Sequence, residues 1–166
     1  MRHVISILLQ NEAGALARVA SLFSTRGYNI ESLSVAPTED AQVSRLTLVS
    51  IGSDQVISQI TQQLCKLVDV VNIADMTLGD HIERELLLLK LEVPESEADA
   101  VRDLVRQHDA RVLDDALANY TLEITGSGSH LDELIDRISA HADILAVVRS
   151  GPLSVARGQA VLSASL

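Results

Sequence analysis

The chain has 166 residues, enough for one ordinary domain or two small ones, and nearly half of them are apolar. Phe23, Tyr28 and Tyr120 are its only aromatic residues, which excludes a stacking platform for single-stranded nucleic acid. The formal net charge is −10, with five basic and eight acidic groups in the first 80 residues and eight and fifteen in the rest; neither half has a basic footprint, so nucleic acid and anionic membrane are disfavoured as partners.

Val4 to Leu9 is a mostly apolar run that predicts a strand. Leu16, Val19, Ala20 and Phe23 fall at i, i+3, i+4 and i+7 and mark one face of a helix. Arg26-Gly27 ends it with a basic last turn and a glycine suited to the left-handed position. Ile30 to Ala36 predicts a second strand, Pro37-Thr38-Glu39-Asp40 a turn, and Val43 to Ile51 a third strand that completes a hairpin. Ser53 or Asp54 caps a second helix carrying Val56, Ile57, Ile60, Leu64 and Leu67. Cys65, the only cysteine, lies inside that pattern and is expected to pack in the core. Val68 to Met76 predicts a fourth strand. The order is βαββαβ, the ferredoxin-like arrangement.

The second half repeats this rhythm. Arg84 to Val93 predicts a strand whose Leu86-Leu87-Leu88-Leu89 run is expected to be buried on both faces. Pro94-Glu95-Ser96 starts a helix with Ala98, Val101, Leu104 and Val105 on its apolar face. Arg111 to Asp114 is a short strand, and Tyr120, Leu122 and Ile124 alternate with Thr121, Glu123 and Thr125 as a half-buried one. Gly126-Ser127-Gly128-Ser129 forms a turn and cap, Leu131, Leu134, Ile135 and Ile138 a helix face, and Ile144 to Val148 a last strand. The fold class expected is α+β, with two ferredoxin-like βαββαβ domains over residues 1–78 and 79–166. The tail from Ser150 is expected either to be loosely ordered or to dock on a partner. Units of this size have small cores and exposed sheet edges, so pairing of two copies edge to edge is expected.

No Ser/His/Asp set and no metal-ligand spacing can be assembled; the five histidines are scattered, and surface or structural roles are expected for them. Gly126 and Gly128 lack the third glycine of a dinucleotide fingerprint, Leu131 standing in its place. No apolar run approaches the length of a bilayer span, and the N-terminus lacks the features of a signal peptide. The expectation is a soluble cytoplasmic protein. The most informative segment is Asn11-Glu12-Ala13-Gly14-Ala15-Leu16 with Gly27-Tyr28-Asn29-Ile30. A helix start offers free backbone N–H groups and partial positive charge to a carboxylate. Gly14 permits close approach, and the carboxamides of Asn11 and Asn29 supply both donors and acceptors for a zwitterion. Leu9, Leu16 and Ile30 would wall a small apolar pocket. From spacing alone, the plainer reading is that Gly14 and Gly27 serve turn geometry and the asparagines cap backbone.

At these residues the chain resembles the regulatory (small) subunits of acetolactate synthase, also called acetohydroxyacid synthase. The resemblance rests on Asn11-Glu12, Gly14, Leu16, Arg18-Val19, Phe23, the run Arg26 to Leu33 and Val35-Ala36-Pro37-Thr38. Gln63-Leu64, Lys66 to Val70, Glu83 to Leu86, Arg149-Ser150-Gly151 and Arg157-Gly158 add to it, whereas Pro94 to Arg111 matches weakly. The resemblance implies that the first domain is an ACT domain, a small-molecule-sensing module that pairs with a second copy. It implies an effector site at Asn11, Gly14, Ala15, Leu16, Asn29 and Ile30 for valine, or for leucine or isoleucine. It further implies that this chain is not an enzyme and binds no cofactor or metal. The thiamine diphosphate, FAD and magnesium belong to a catalytic (large) subunit that the chain activates and makes sensitive to valine. The alternative is an ACT-type sensor acting on another enzyme or on a transcription factor.

Overall fold

The computed structural model describes residues 1–158 and 161–164, which form two compact units: Met1–Ile82 with the C-terminal segment from Pro152, and Glu83–Gly151. In the first unit the elements are β1 (Arg2–Gln10), α1 (Ala15–Thr25), β2 (Ile30–Pro37), β3 (Val43–Ile51), α2 (Asp54–Leu64) and β4 (Val70–Asp75). The sheet is antiparallel, in the order β2-β3-β1-β4. Register places Ile7 opposite both Leu46 and Ile73. The two-residue alternation of a strand then sends Ile5, Ile7, Leu9, Leu46 and Leu48 to one face. There they meet Val19 and Phe23 of α1 and Ile57, Ile60 and Leu64 of α2, all buried. Ser53 caps α2, its hydroxyl accepting the Val56 N–H at 3.4 Å, and Gly27 follows α1 at φ +72°.

Two expectations fail at the end of α2. Cys65 is exposed rather than buried. It terminates the helix one position beyond Leu64, and a step of about 100° carries it off the apolar stripe. Val68 is 89% exposed and lies outside β4, which starts two residues later; Met76–Leu78 forms a short 3-10 turn rather than strand.

The second unit contains most of β5 (His81–Glu92), then α3 (Ala98–Gln107), β6 (Arg111–Asp114), β7 (Tyr120–Gly126), α4 (Gly128–Ile138) and β8 (Asp143–Arg149). Its strands run in the order β6-β7-β5-β8, the same arrangement as in the first unit. Leu87, Leu89, Leu91, Tyr120, Leu122 and Ile124 pack against Val101, Leu104, Leu131, Leu134 and Ile138. The leucine run is therefore not buried on both faces: Leu86 is 36% exposed, because helices cover only one side of this antiparallel sheet.

The division differs from the expected domains 1–78 and 79–166. Arg149 ends β8 by gripping the buried Glu85, with Nε–H and Nη2–H donated to its two carboxylate oxygens at 3.0 and 2.8 Å. Gly151 follows at φ +74° and donates its N–H to the same carboxylate. The chain from Pro152 then belongs to the first unit. It forms β9 (Leu153–Ala156), with Ala156 packed on Val4, Val49 and Met76. The Arg157 N–H donates to the Asp80 carbonyl at 3.0 Å, Arg45 Nη2 to the Leu162 carbonyl at 2.8 Å, and Asn72 Nδ2 to the Ser163 carbonyl at 3.0 Å. The tail is thus bound back onto its own chain. No helix among the described residues is long and apolar enough to cross a membrane.

Phe23 has no exposed surface and is the one fully buried ring of the first core among the described residues, with the half-buried Tyr28 packed against the same core. Phe23→Ala should cost about 3–5 kcal/mol of stability, measured as a shift in the denaturant midpoint with an unchanged slope.

Candidate functional site

The β1–α1 junction is held by backbone and side chain alike. The Gln10 N–H donates to the Asp69 carbonyl at 2.8 Å, and the Asn11 N–H to the Gln42 carbonyl at 2.7 Å. Asn11 Nδ2 donates to the Ala41 carbonyl at 2.8 Å. The asparagine thereby ties the junction to the β2–β3 turn and keeps its side-chain oxygen as an acceptor. Gly14 is the N-cap of α1 at φ +89°, with no side-chain cap. A Cβ there would stand 2.9 Å from Arg18 Nη1. The left-handed backbone favours glycine here, and any other side chain would also have to displace the guanidinium lying over the turn.

Arg18 donates Nη2–H to Asp69 Oδ1 at 2.6 Å and Nε–H to Asp69 Oδ2. These hydrogen bonds hold the Asp69 carboxyl below the usual carboxylate range, although burial pushes it up. Arg18 is half exposed; Asp69 is buried.

A cavity of about 240 Å³ opens beside this junction. Leu9, Gln10, Asn11, Glu12, Ala15 and Leu16 form one wall and Val35, Ala36, Pro37 and Ser44 the other. Of the six residues expected at an effector site, Asn11, Ala15 and Leu16 line the cavity, whereas Gly14 caps α1 between them and is not part of the lining. Asn29 and Ile30 are elsewhere. Ile30 and His3 both pair with Ser50, whereas Ala36 and Leu8 both pair with Arg45. Asn29-Ile30 therefore lies at the start of β2, level with the start of β1, and the cavity lies at the other end. The strand separates them by roughly 20 Å at about 3.3 Å per residue. Asn29 donates Nδ2–H to Glu31 Oε1 at 2.7 Å, and its carbonyl accepts from Ser50 Oγ at 2.8 Å. Ile30 packs on the core of its own unit instead of walling the cavity.

The residues that sequence reasoning left out are Gln10, Glu12, the Val35–Pro37 wall, Ser44, and the Arg18–Asp69 pair behind the junction. Val35-Ala36-Pro37 was visible as motif but carried no chemical signal. Asp69 follows an exposed Val68, and nothing local marks its carboxylate as buried.

β2 is an edge of the sheet. Its Val35 is 42% exposed and Leu16 beside it 37%, two apolar side chains at an open cavity mouth. Among the described residues no cluster of His, Cys, Asp and Glu has the makings of a metal site. What the geometry provides is a small pocket, apolar on one side, with a carboxamide acceptor and a helix start on the other.

Two ferredoxin-like βαββαβ units, with a glycine-capped junction and pocket in the first, define a protein built on an ACT domain. A family model of the AHAS small subunit-like ACT domain matches residues 5–72, and one of the small subunit of acetolactate synthase matches residues 84–158. The acetolactate synthase small subunit of Buchnera aphidicola is 42% identical over 158 residues, covering 95% of this chain and all of the relative. The acetolactate synthase isozyme 3 small subunit of Escherichia coli is 41% identical over 162 residues, covering 98% and 99%. The crystal structure of the acetolactate synthase small subunit from Thermotoga maritima superposes with a TM-score of 0.84 at 29% identity, covering 96% and 99%. The chain belongs to the acetolactate synthase small-subunit family.

The folded-state carboxyl of Asp69 titrates below its unfolded value. Its contribution to stability is therefore complete above the unfolded pKa and lost as pH falls through the depressed one. Denaturant midpoints at pH 7 and about pH 3 should fall further for the wild type than for Asp69→Asn, which has no such proton to take up.

Proposed function

We propose that this chain is the regulatory subunit of acetolactate synthase: it activates the catalytic subunit and confers feedback inhibition by valine. The effector binds at a site shared by two copies. The observation that carries this reading is the separation of the expected site residues along β2. Asn29 and Ile30 lie about one strand length from Asn11 within a chain, and β2 is an open edge. Antiparallel pairing of β2 with the β2 of a second copy brings the partner copy's start of strand against this copy's Val35–Pro37, beside the cavity. Such isologous pairing produces two equivalent sites related by a two-fold axis. It also covers an edge that otherwise presents unpaired backbone groups.

The pocket chemistry suits a small branched amino acid. The Asn11 side-chain oxygen accepts from the ammonium, the start of α1 and the partner copy's Asn29 serve the carboxylate, and Leu16 and Val35 receive the side chain. The chemistry of acetolactate synthesis, with its thiamine diphosphate, FAD and magnesium, belongs to the catalytic subunit. Regulation is then a linkage effect: valine bound across the pair favours the less active arrangement of the complex.

Reconstitution tests the role. Purified catalytic subunit should gain activity on addition of this chain and lose it again across a valine titration; no activation and no valine response would remove the reading. Subunit mixing tests the shared site. Asn11→Ala and Asn29→Ala should each abolish valine binding as homodimers. After the two are mixed and allowed to exchange, about a quarter of the sites should recover, because half of the dimers are hybrids with one intact site each. No recovery on mixing would overturn the shared site, since the two asparagines lie level with opposite ends of β2 within one chain.

A further inference from the structure

We infer that Asp69 is the positioning residue of the effector loop: it holds the loop at both ends, and effector affinity depends on its carboxylate staying paired with Arg18. This rests on the effector site proposed above. Asp69 engages the loop through two different groups. Its backbone carbonyl takes the N–H of Gln10, the last residue of β1, at 2.8 Å. Its carboxylate takes the fork of Arg18, in the first turn of α1. The residues between them, 11 to 17, are the ones that carry Asn11, Ala15 and Leu16 into the cavity wall.

Neither member of the pair lines the cavity, so both act through the loop. Arg18 also stands over the Gly14 turn, close enough that any Cβ would touch it, and Glu12 adds a second negative charge drawing the guanidinium to that place. The bidentate geometry fixes the direction of the guanidinium plane as well as its distance. A point cation would fix the distance alone. The hairpin side is held separately, through Asn11 to Ala41 and Gln42. Loss of Asp69 therefore frees α1's first turn while leaving Asn11 attached, and the two walls of the pocket lose their mutual register. A site must be held within a fraction of an ångström to keep its affinity.

The test is calorimetric valine titration of the full-length protein as wild type, Asp69→Asn, Arg18→Lys and the double variant Arg18→Met/Asp69→Leu, each with its thermal midpoint. Asp69→Asn should weaken valine binding about tenfold or more, the scale of a lost charge-assisted hydrogen bond. Arg18→Lys, which keeps the charge and loses the fork, should fall between it and the wild type. The double variant separates positioning from stability. Apolar replacement of both partners leaves neither the buried carboxylate nor the half-exposed guanidinium unpaired, so its thermal midpoint should return toward wild type while its valine affinity stays as weak as that of Asp69→Asn. Affinity within about twofold of wild type in Asp69→Asn, or in a folded double variant, overturns the proposal. If wild-type protein binds no valine, it is the effector reading that fails. The positioning claim is then decided by amide exchange of Asn11–Leu16 in the unliganded protein: faster exchange in Asp69→Asn upholds it, and unchanged exchange overturns it.

Discussion

A four-stranded antiparallel sheet with two helices on one side buries that side and leaves two edges open, and the rest of the first unit follows from this. Ile5, Ile7, Leu9, Leu46 and Leu48 must all point to the helices, which fixes the register of β1 against β3. With register fixed, β1 and β2 run in the same direction on either side of β3. The junction after β1 then opens beside the end of β2 rather than its beginning. The pocket is where it is because of that geometry, and its outer wall is an edge strand because, among the described residues, no strand pairs with β2 beyond β3.

The junction itself shows how a short turn is held without a large core. Three attachments bound it: Gln10 to the Asp69 carbonyl, Arg18 to the Asp69 carboxylate, and Asn11 to the β2–β3 turn. Gly14 accepts the left-handed backbone that this closure demands, and the absence of its side chain leaves room for Arg18. The acidic residue is buried and the cation half exposed. The pair is thus anchored on its carboxylate side, and Arg18 carries that anchor to the first turn of α1.

The second unit carries the same strand order with a different junction. Between β5 and α3 stands Pro94 at φ −60°, followed by a 3-10 turn, where the first unit has Gly14. The Val93 N–H is spent on the Leu117 carbonyl. One architecture therefore presents two junctions of unlike chemistry, and only the first has a left-handed glycine beside a pocket. A bidentate ionic grip in the second unit, Arg149 on Glu85 with Asp132 as a further partner, sits where β8 ends and the chain turns at Gly151. Its hydrogen bonds and charge pairing hold the Arg149 guanidinium firmly protonated.

Helices, strands and both buried faces were legible from periodicity, because the 3.6- and 2-residue repeats are local properties of the chain. The order βαββαβ in each half followed from them, and Asn11, Gly14, Ala15 and Leu16 were legible as a helix start with the groups a small zwitterion needs. Position 65 was misread because a helix face extrapolated past Leu64 ignores where the helix stops. The Leu86–Leu89 run was misread because composition does not count how many sheet faces the helices cover. The burial of Asp69, its hold on Arg18, the return of the tail to the first unit and the distance between Asn11 and Asn29 were not legible at all. Each depends on which residues, far apart in the chain, are brought side by side. Pattern along the chain decides what each segment becomes; only strand pairing and packing decide which segments meet, because those contacts have no period to read.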